Sequence, residues 1–528
     1  MRKFSFVLWL SVLFLMSPCA LFAQGTSSWV FFGPDGTLQY QTDDNGNRVM
    51  DFSFAGYQGG GVALPNVPVA VTVDPVDGDN TANIQGAIDS VSQLPPDQNG
   101  FSGAVLLNPG TYDVSGTLHI NTSGVVLRGS GSGSDGAILN MTGSPHLMLA
   151  MSGSGSWQTF GSAAAMTDSY VPSGSMSFNV DDASGFNVGD TVLVERPVTD
   201  AWIQFMGMDT LMRNGQPQTW IKPGTIIRTD RVIAAIAGNQ ITLDAPLTDS
   251  FDSSLVNGSV IGYNFPGRIS QVGVEHLSVI APAVNVDISQ PQFTGLSLSA
   301  AMNAWAEDVV FQDTQNTVSI SSTAKQVTLD NIQVAHTVDH TGDRMADFGV
   351  NGTQIFINQS SSNGTGEWPF VTQGEATGPA VVLNFNSSEQ AGIGPHQRWF
   401  TGLLADNCTL PNAPAGVNGG TTGINFSDRG NHGSGQGWAV GWAVAWNVTT
   451  PFLVVQEPPG AQNWCIGCVG QQLSGNEPGS NNPVPDGNFD SLGTPVTPNS
   501  LYIEQLCERL GPGAATNIGY DGACASQQ

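Results

Sequence analysis

Short apolar runs recur in the second half of this chain at intervals suited to one turn of a coil. Runs at 381–385, 403–407, 424–427 and 452–455 begin 22, 21 and 28 residues apart, and a second series, 443–448 and 465–469, is offset by about 22. Evenly spaced buried strands are what a solenoid requires, because each coil can cover its apolar face only against the coils beside it. Composition points the same way. Glycine supplies 65 of 528 residues, and charged residues are 11%, against roughly 25% in an average globular protein. Such a chain suits short strands joined by many turns and excludes a helical bundle.

The first residues read as an address. Arg2 and Lys3 precede an apolar run from Phe4 to Met16, and small residues follow at Ala20 and Ala23. This predicts a signal peptide over 1–23 and a secreted product, extracellular or periplasmic. Cys19 follows Met16-Ser17-Pro18, a poor lipoprotein box, and no second apolar run reaches ~18 residues, so no membrane anchor is expected. Five cysteines then remain, an odd number that cannot all pair. Cys507 with Cys524 would staple the C-terminal tail; Cys465 and Cys468 either pair or lie in a strand as core thiols. Acidic residues outnumber basic ones 43 to 15, for a net charge of -28. That balance argues against nucleic acid and anionic membrane as partners.

Residues 24–70 are a Gly-rich N-terminal segment. Beyond it, Ile84, Ala87, Ile88 and Val91 have helical spacing, and Asp79, Asn80 or Thr81 can cap that helix. Short strands at 104–107, 118–120, 125–127 and 138–139 follow. Asp77-Gly78-Asp79 with Ile84-Gln85-Gly86-Ala87-Ile88, then Leu107-Asn108-Pro109-Gly110-Thr111-Tyr112, then Val126-Leu127-Arg128-Gly129 carry a likeness to a known group. The stretch resembles the N-terminal cap of the pectate-lyase superfamily, the right-handed parallel β-helices of polysaccharide lyases, polygalacturonases and phage tailspikes. The resemblance implies an all-β, right-handed parallel β-helix with an N-terminal cap helix, and says little about the reaction.

The cap and first coils are expected over 71–149. Residues 150–262 read as a small inserted β subdomain, with hairpin strands near 188–194 and 236–243. Trp202, Met206, Met208, Met212 and Trp220 lie between them, as one wall of a groove or as mere decoration. The main β-helix is expected over 263–510, closed by a short helix at 501–510, with a tail over 511–528.

Three clusters carry the chemistry. They are His396-Gln397-Arg398-Trp399; Asp428-Arg429-Gly430-Asn431-His432 with Trp438 and Trp442 after it; and Gln456-Glu457 with Asn463. Aligning Ile424 with Phe452 sets Asp428 beside Gln456 and Arg429 beside Glu457; aligning Leu403 with Ile424 sets Asn407 beside Asp428. The clusters would then border one patch, with Trp399, Trp438 and Trp442 offering flat faces to sugar rings. Structural explanations compete. Asn407, Asp428 and Asn447 suit a turn ladder, Arg429 with Glu457 an inter-coil ion pair, and the tryptophans packing.

Two reactions fit these residue types. A lyase acting on an acidic polysaccharide needs the carboxylate neutralised, by arginine or bound Ca²⁺, and groups that move protons. His396 or His432 would transfer the proton, Arg398 and Arg429 would neutralise, and Asp428 and Glu457 would orient them or hold Ca²⁺. A glycoside hydrolase needs two carboxylates: Asp428 with Glu457 or Asp406, or the acidic group Asp339, Asp343 and Asp347. A non-catalytic glycan-binding or adhesion protein is the third reading. The motifs of polygalacturonases, and the Arg-x-Pro-x-x-Arg motif of pectate lyases, are not found in this sequence.

Overall fold

The computed structural model describes residues 24–339, 346–364, 368–416, 422–476 and 483–525. The expected signal peptide and Asp343 lie outside the described residues.

The chain forms an all-β parallel β-helix of three sheets. The first sheet starts with Val69–Val73, Gly103–Leu107 and Val125–Gly129 and continues through the long strands Ile269–Ile280, Ala301–Gln312 and Lys325–Ala335. It ends with Thr353–Asn358, Thr377–Leu383, Phe400–Asp406, Val444–Trp446, Trp464–Ile466 and Asn488–Asp490. The second contains Gly110–Val114, Ala137–Met141 and the far ends of the long strands. The third reaches Trp368–Val371, then passes through Ile393 to Ile424–Phe426 and Thr449–Val455.

Each long strand has two left-handed residues and turns from the first sheet to the second at the later one: His276, Asp308 and Asn331. Later coils keep this corner with Asn384, Asn407 and Asn447, all at positive φ. Asparagine tolerates this conformation better than most residues. The side chains also ladder: Asn407 Nδ2 donates to Asn384 Oδ1 at 2.6 Å. Asn407 and Asn447 are therefore corner residues, and Asp428 stands outside the ladder.

The register corrects one expectation. Leu383 faces Asp406 and Asp406 faces Trp446, so 381–385, 403–407 and 443–448 occupy adjacent coils of one sheet. The run 424–427 belongs to the third sheet, and Asn407 lies beside Asn447, not Asp428. The apparent 21-residue period crossed a corner. On the third sheet Ile424 faces Leu453, one residue from the expected alignment.

Both faces of the first sheet are covered here. Leu403, Ala405, Ala443 and Ala445 fill the coil interior. Leu404, Val444 and Trp446 join a second core with Phe52, Val194 and Tyr502. Burial on both sides explains the unbroken apolar runs. The cap helix Thr81–Ser92 buries Ile84, Ala87, Ile88 and Val91, while Asn80 turns its side chain back to Val76 and Gly78.

Between the coils stands an antiparallel sheet, ordered Gln158–Ala165, Ser259–Asn264, Thr191–Pro197, Ile226–Ala237, Gln240–Leu243 and Ser177–Asn179. Buried charge docks it. Asp230 meets Lys325 Nζ at 2.9 Å and Arg268 Nη1 at 2.8 Å. Arg231 donates to Thr353 Oγ1 at 3.0 Å and Gly378 O at 2.8 Å.

The two ends of the described chain meet. Gly25–Thr26 pairs with Val496–Thr497. The helix Leu501–Leu510, capped by Ser500, sends Gln505 Oε1 to Phe52 N–H at 2.8 Å. A disulfide joins Cys507 to Cys524; Cys465 and Cys468 are free, buried thiols.

Candidate active site

A cleft of about 790 Å³ lies between residues 205–212 of the inserted segment and the turns that leave the third sheet, and Asp428, Trp438 and Glu457 line it. Met206, Met208 and Met212 form part of the opposite wall, with Pro458, Pro459 and Pro485 nearby. The strand register explains how the two carboxylates meet. Phe426 faces Val455 in the adjacent coil, and two residues further along each chain come Asp428 and Glu457, with coils ~4.8 Å apart.

The turn at Asp428 is held from several sides. Its N–H donates to Gln456 Oε1 at 2.8 Å, and its Oδ1 accepts from Gly430 N–H at 2.7 Å. Gln456 O in turn accepts from Asn463 Nδ2 at 2.9 Å. The loop folds back so that Asp428 pairs with Trp438. Gly437 is required here: its φ is 56°, and an added Cβ would lie 2.3 Å from Trp220 Cδ1. Burial raises the pKa of the Glu457 carboxyl.

The cationic residues face elsewhere. Arg429 alternates away from Asp428 and is buried, with its guanidinium 6.0 Å from the Trp368 ring. Arg429 and His396 line a separate pocket of about 50 Å³. Arg429 Nε donates to Gln436 Oε1 at 2.7 Å, and Gln436 Nε2 lies 2.6 Å from His396 Nε2. With its oxygen committed to Arg429, the amide offers an N–H, so His396 Nε2 is an unprotonated acceptor. Burial and the neighbours Arg429 and Arg398 depress this imidazole to about 4. Arg398 is spent on the loop, donating to Ser434 O at 3.1 Å and Ser434 Oγ at 2.6 Å. No ion pair joins Arg429 to Glu457 among the described residues.

Other expected residues are also placed differently. Trp438, expected as a sugar platform, is only 4% exposed; Trp399 and Trp442, expected in the same role, are 1% and 0% exposed. Their indole N–H groups donate to Asp249 at 2.8 and 3.0 Å, fastening the inserted sheet to the coils. Asn463 is fully buried and supports Gln456 without reaching the cleft. Asp406 is buried under the C-terminal helix, where its Oδ2 accepts from Ser500 Oγ and Tyr502 N–H. It is therefore no partner for Asp428. His432 is half-buried in the loop and is not among the residues that line the cleft; burial, then Arg429 and Arg213, lower its pKa. Arg213, which sequence reasoning missed, donates to Gly433 O from the inserted segment.

Two further groups of ionisable side chains were not brought together from sequence, and only Asp347 among them was a candidate carboxylate. Glu307 and Asp330 face each other on adjacent coils and line a second cavity of about 330 Å³. Burial raises both, Asp330 to about 6. His336, Asp347 and Glu389 bring ligand-type atoms within 4.8 Å of one another inside the coils. The sequence signal for the first pair was present but unread: acidic residues recurring one coil apart.

No family model matches the chain, and no curated protein matches it by sequence. Among solved structures it is similar to the tailspike protein gp49 from Pseudomonas phage LKA1, at 13% identity and TM-score 0.33, over 74% of this chain and 69% of that one. A tailspike of E. coli bacteriophage HK620 in complex with pentasaccharide gives 10% and 0.39, over 77% of this chain and 61% of that one. PfbA, a surface adhesin of Streptococcus pneumoniae, gives 10% and 0.38, over 76% and 80%. Likeness at this level brings no residue, substrate or activity to this chain. The parallel β-helix stands on the chain's own strand pairing.

Proposed function

We propose that this protein is an exported glycan-cleaving enzyme of the pectate-lyase superfamily fold that works as a glycoside hydrolase, with Asp428 and Glu457 as its carboxylate pair. The observation that carries this reading is that both carboxylates line one cleft from consecutive coils, while the arginines expected beside them are tied up elsewhere. Glu457, raised by burial, is suited to protonate the leaving oxygen. Asp428, held by Gly430 N–H, serves as nucleophile toward the anomeric carbon or as base for the water that attacks it. Met212, Pro459 and Pro485, the more exposed parts of the walls, give sugar rings apolar surface. Export is supported by the leader-like pattern over 1–23 and by the Cys507–Cys524 disulfide. No helix among the described residues is long and apolar enough to cross a membrane.

One observation favours elimination instead. Burial, then Arg429 and Arg213, hold the His432 imidazole below its ordinary pKa, which suits a base that removes a proton. Were Ca²⁺ bound in the cleft, Asp428 and Glu457 are the carboxylates among its described lining residues that would hold it, carbonyls and water completing its 6–8 oxygens. Incubation with a panel of plant, algal and bacterial glycans decides between the reactions. New reducing ends that fall by ~10²–10⁴ in Glu457→Gln and Asp428→Asn support the hydrolase. Unsaturated products absorbing in the ultraviolet, lost in His432→Ala, would overturn it.

A further inference from the structure

Next to the cleft lies a smaller pocket of about 120 Å³, which shares Phe205, Pro459 and Gly460 with it. Its floor holds Arg196, on the inserted strand Thr191–Pro197. This residue is 5% exposed, and its guanidinium sits 4.4 Å from the Trp202 ring. Arg196 Nε reaches Asp249 Oδ2 and Ser250 O, each at 3.3 Å. Its Nη1 is buried and has no hydrogen-bond partner among the described residues. An orphaned donor on a buried cation is costly unless something meets it.

The pocket's charges explain why a ligand would be the partner. Asp249 is already the acceptor for Trp399 and Trp442 N–H, for Ser250 N–H and for Arg196 Nε. Its charge is thus shared among four donors and lies on the Nε side. The other acid, Asp252, is bonded to Ser254 through its N–H and hydroxyl. Nη1 is therefore left without a partner at the floor of a pocket that shares Phe205, Pro459 and Gly460 with the cleft. A guanidinium matches the planar carboxylate of an acidic sugar in geometry and charge.

We infer that the Arg196 pocket is a subsite for the carboxylate of an acidic sugar, one unit of the glycan whose neighbouring bond is cut in the cleft. This rests on the hydrolase reading for the cutting, but not for the binding. The site belongs to the inserted sheet and is distinct from the Arg398 and Arg429 cluster.

The test is titration of the mature protein with D-glucuronate and with D-glucose, followed by ligand-observed NMR. A preference for glucuronate of tenfold or more is expected. Arg196→Gln should abolish it. Because that change cuts a buried ion pair, Asn45→Glu is the second variant: Asn45 is exposed at the pocket mouth, and a carboxylate there should lower the preference at least threefold without touching the core. Equal binding of the two sugars by the wild type, or a preference unchanged in folded variants, overturns the subsite. Asp428→Asn separates the two readings. It should bind glucuronate as the wild type does, so intact uronate binding with no glycan cleaved in the wild type sinks the hydrolase alone. Cleavage of glycans without any preference for acidic ones sinks the subsite alone.

Discussion

In the coil stack, Leu403, Ala405, Ala443 and Ala445 repeat one kind of contact from coil to coil, and the loss of one leaves its neighbours in place. Where the inserted sheet meets the coils, each contact is singular. Asp230 takes Lys325 and Arg268, Arg231 takes Thr353 and Gly378, and Asp249 takes Trp399 and Trp442. A repeat spreads its stability over many small apolar terms, whereas a seam of buried charges depends on every partner being present. In a chain so poor in charge, much of the charge in the described core lies at this seam.

The largest expected effect breaks the seam. Lys325→Met leaves Asp230 with one cation in a buried site and should cost about 3–5 kcal/mol, read by denaturant unfolding. Leu403→Ala, inside the stack, should cost about 2–4 kcal/mol. If it costs more than Lys325→Met, the contrast between the two regions fails.

Acidity sharpens the comparison with two buried groups of opposite sign. Burial raises Asp406 to about 7, so the native state holds its proton more tightly than the unfolded chain does. The stability this gives is present below about 4 and is lost as pH rises towards 7. Asp406→Asn should flatten that loss and exceed the wild type by more than ~1 kcal/mol at pH 8. His396 works the other way. Depressed to about 4, it should lose stability as pH falls from about 6.5 to 4, a decline that His396→Gln removes. Melting curves across pH 4–8 check both.

The smallest effect tests the corner ladder. Asn407→Ala places an ordinary residue at φ 55° and removes a hydrogen bond, for about 1–2 kcal/mol. Asn407→Gly should recover part of that.

The fold was legible because the coil interior is periodic. Ile84, Ala87, Ile88 and Val91 marked the cap helix, and the 381 and 403 runs marked adjacent coils. The next step failed because a three-sheet coil presents apolar runs on different faces, and linear spacing does not say which face a run occupies. Ile424 follows Leu403 at a coil-like interval and yet belongs to another sheet. The carboxylates Asp428 and Glu457 were found because they stand just past two strands that do pair. Arg196, Arg213 and Asp249 were missed for a physical reason. They act across the seam, between segments far apart in sequence and without any period. The tryptophans misled for the same cause: nothing in the sequence showed that the inserted sheet would cover Trp399 and Trp442.

The clasp between Gly25–Thr26 and Val496–Thr497 has a consequence for how the chain is made. Synthesis delivers the first of these strands some 470 residues before the second, and coils can stack as they emerge while the clasp cannot close. Until the last segment arrives, Phe52 lacks Gln505 and Trp446 lacks the Pro498 carbonyl that its indole donates to. A ribosome stalled near residue 490 would therefore release a well-stacked rod with an open apolar strip along one side. Such truncated products would be sticky rather than unfolded, and quality control would have to recognise them by that strip.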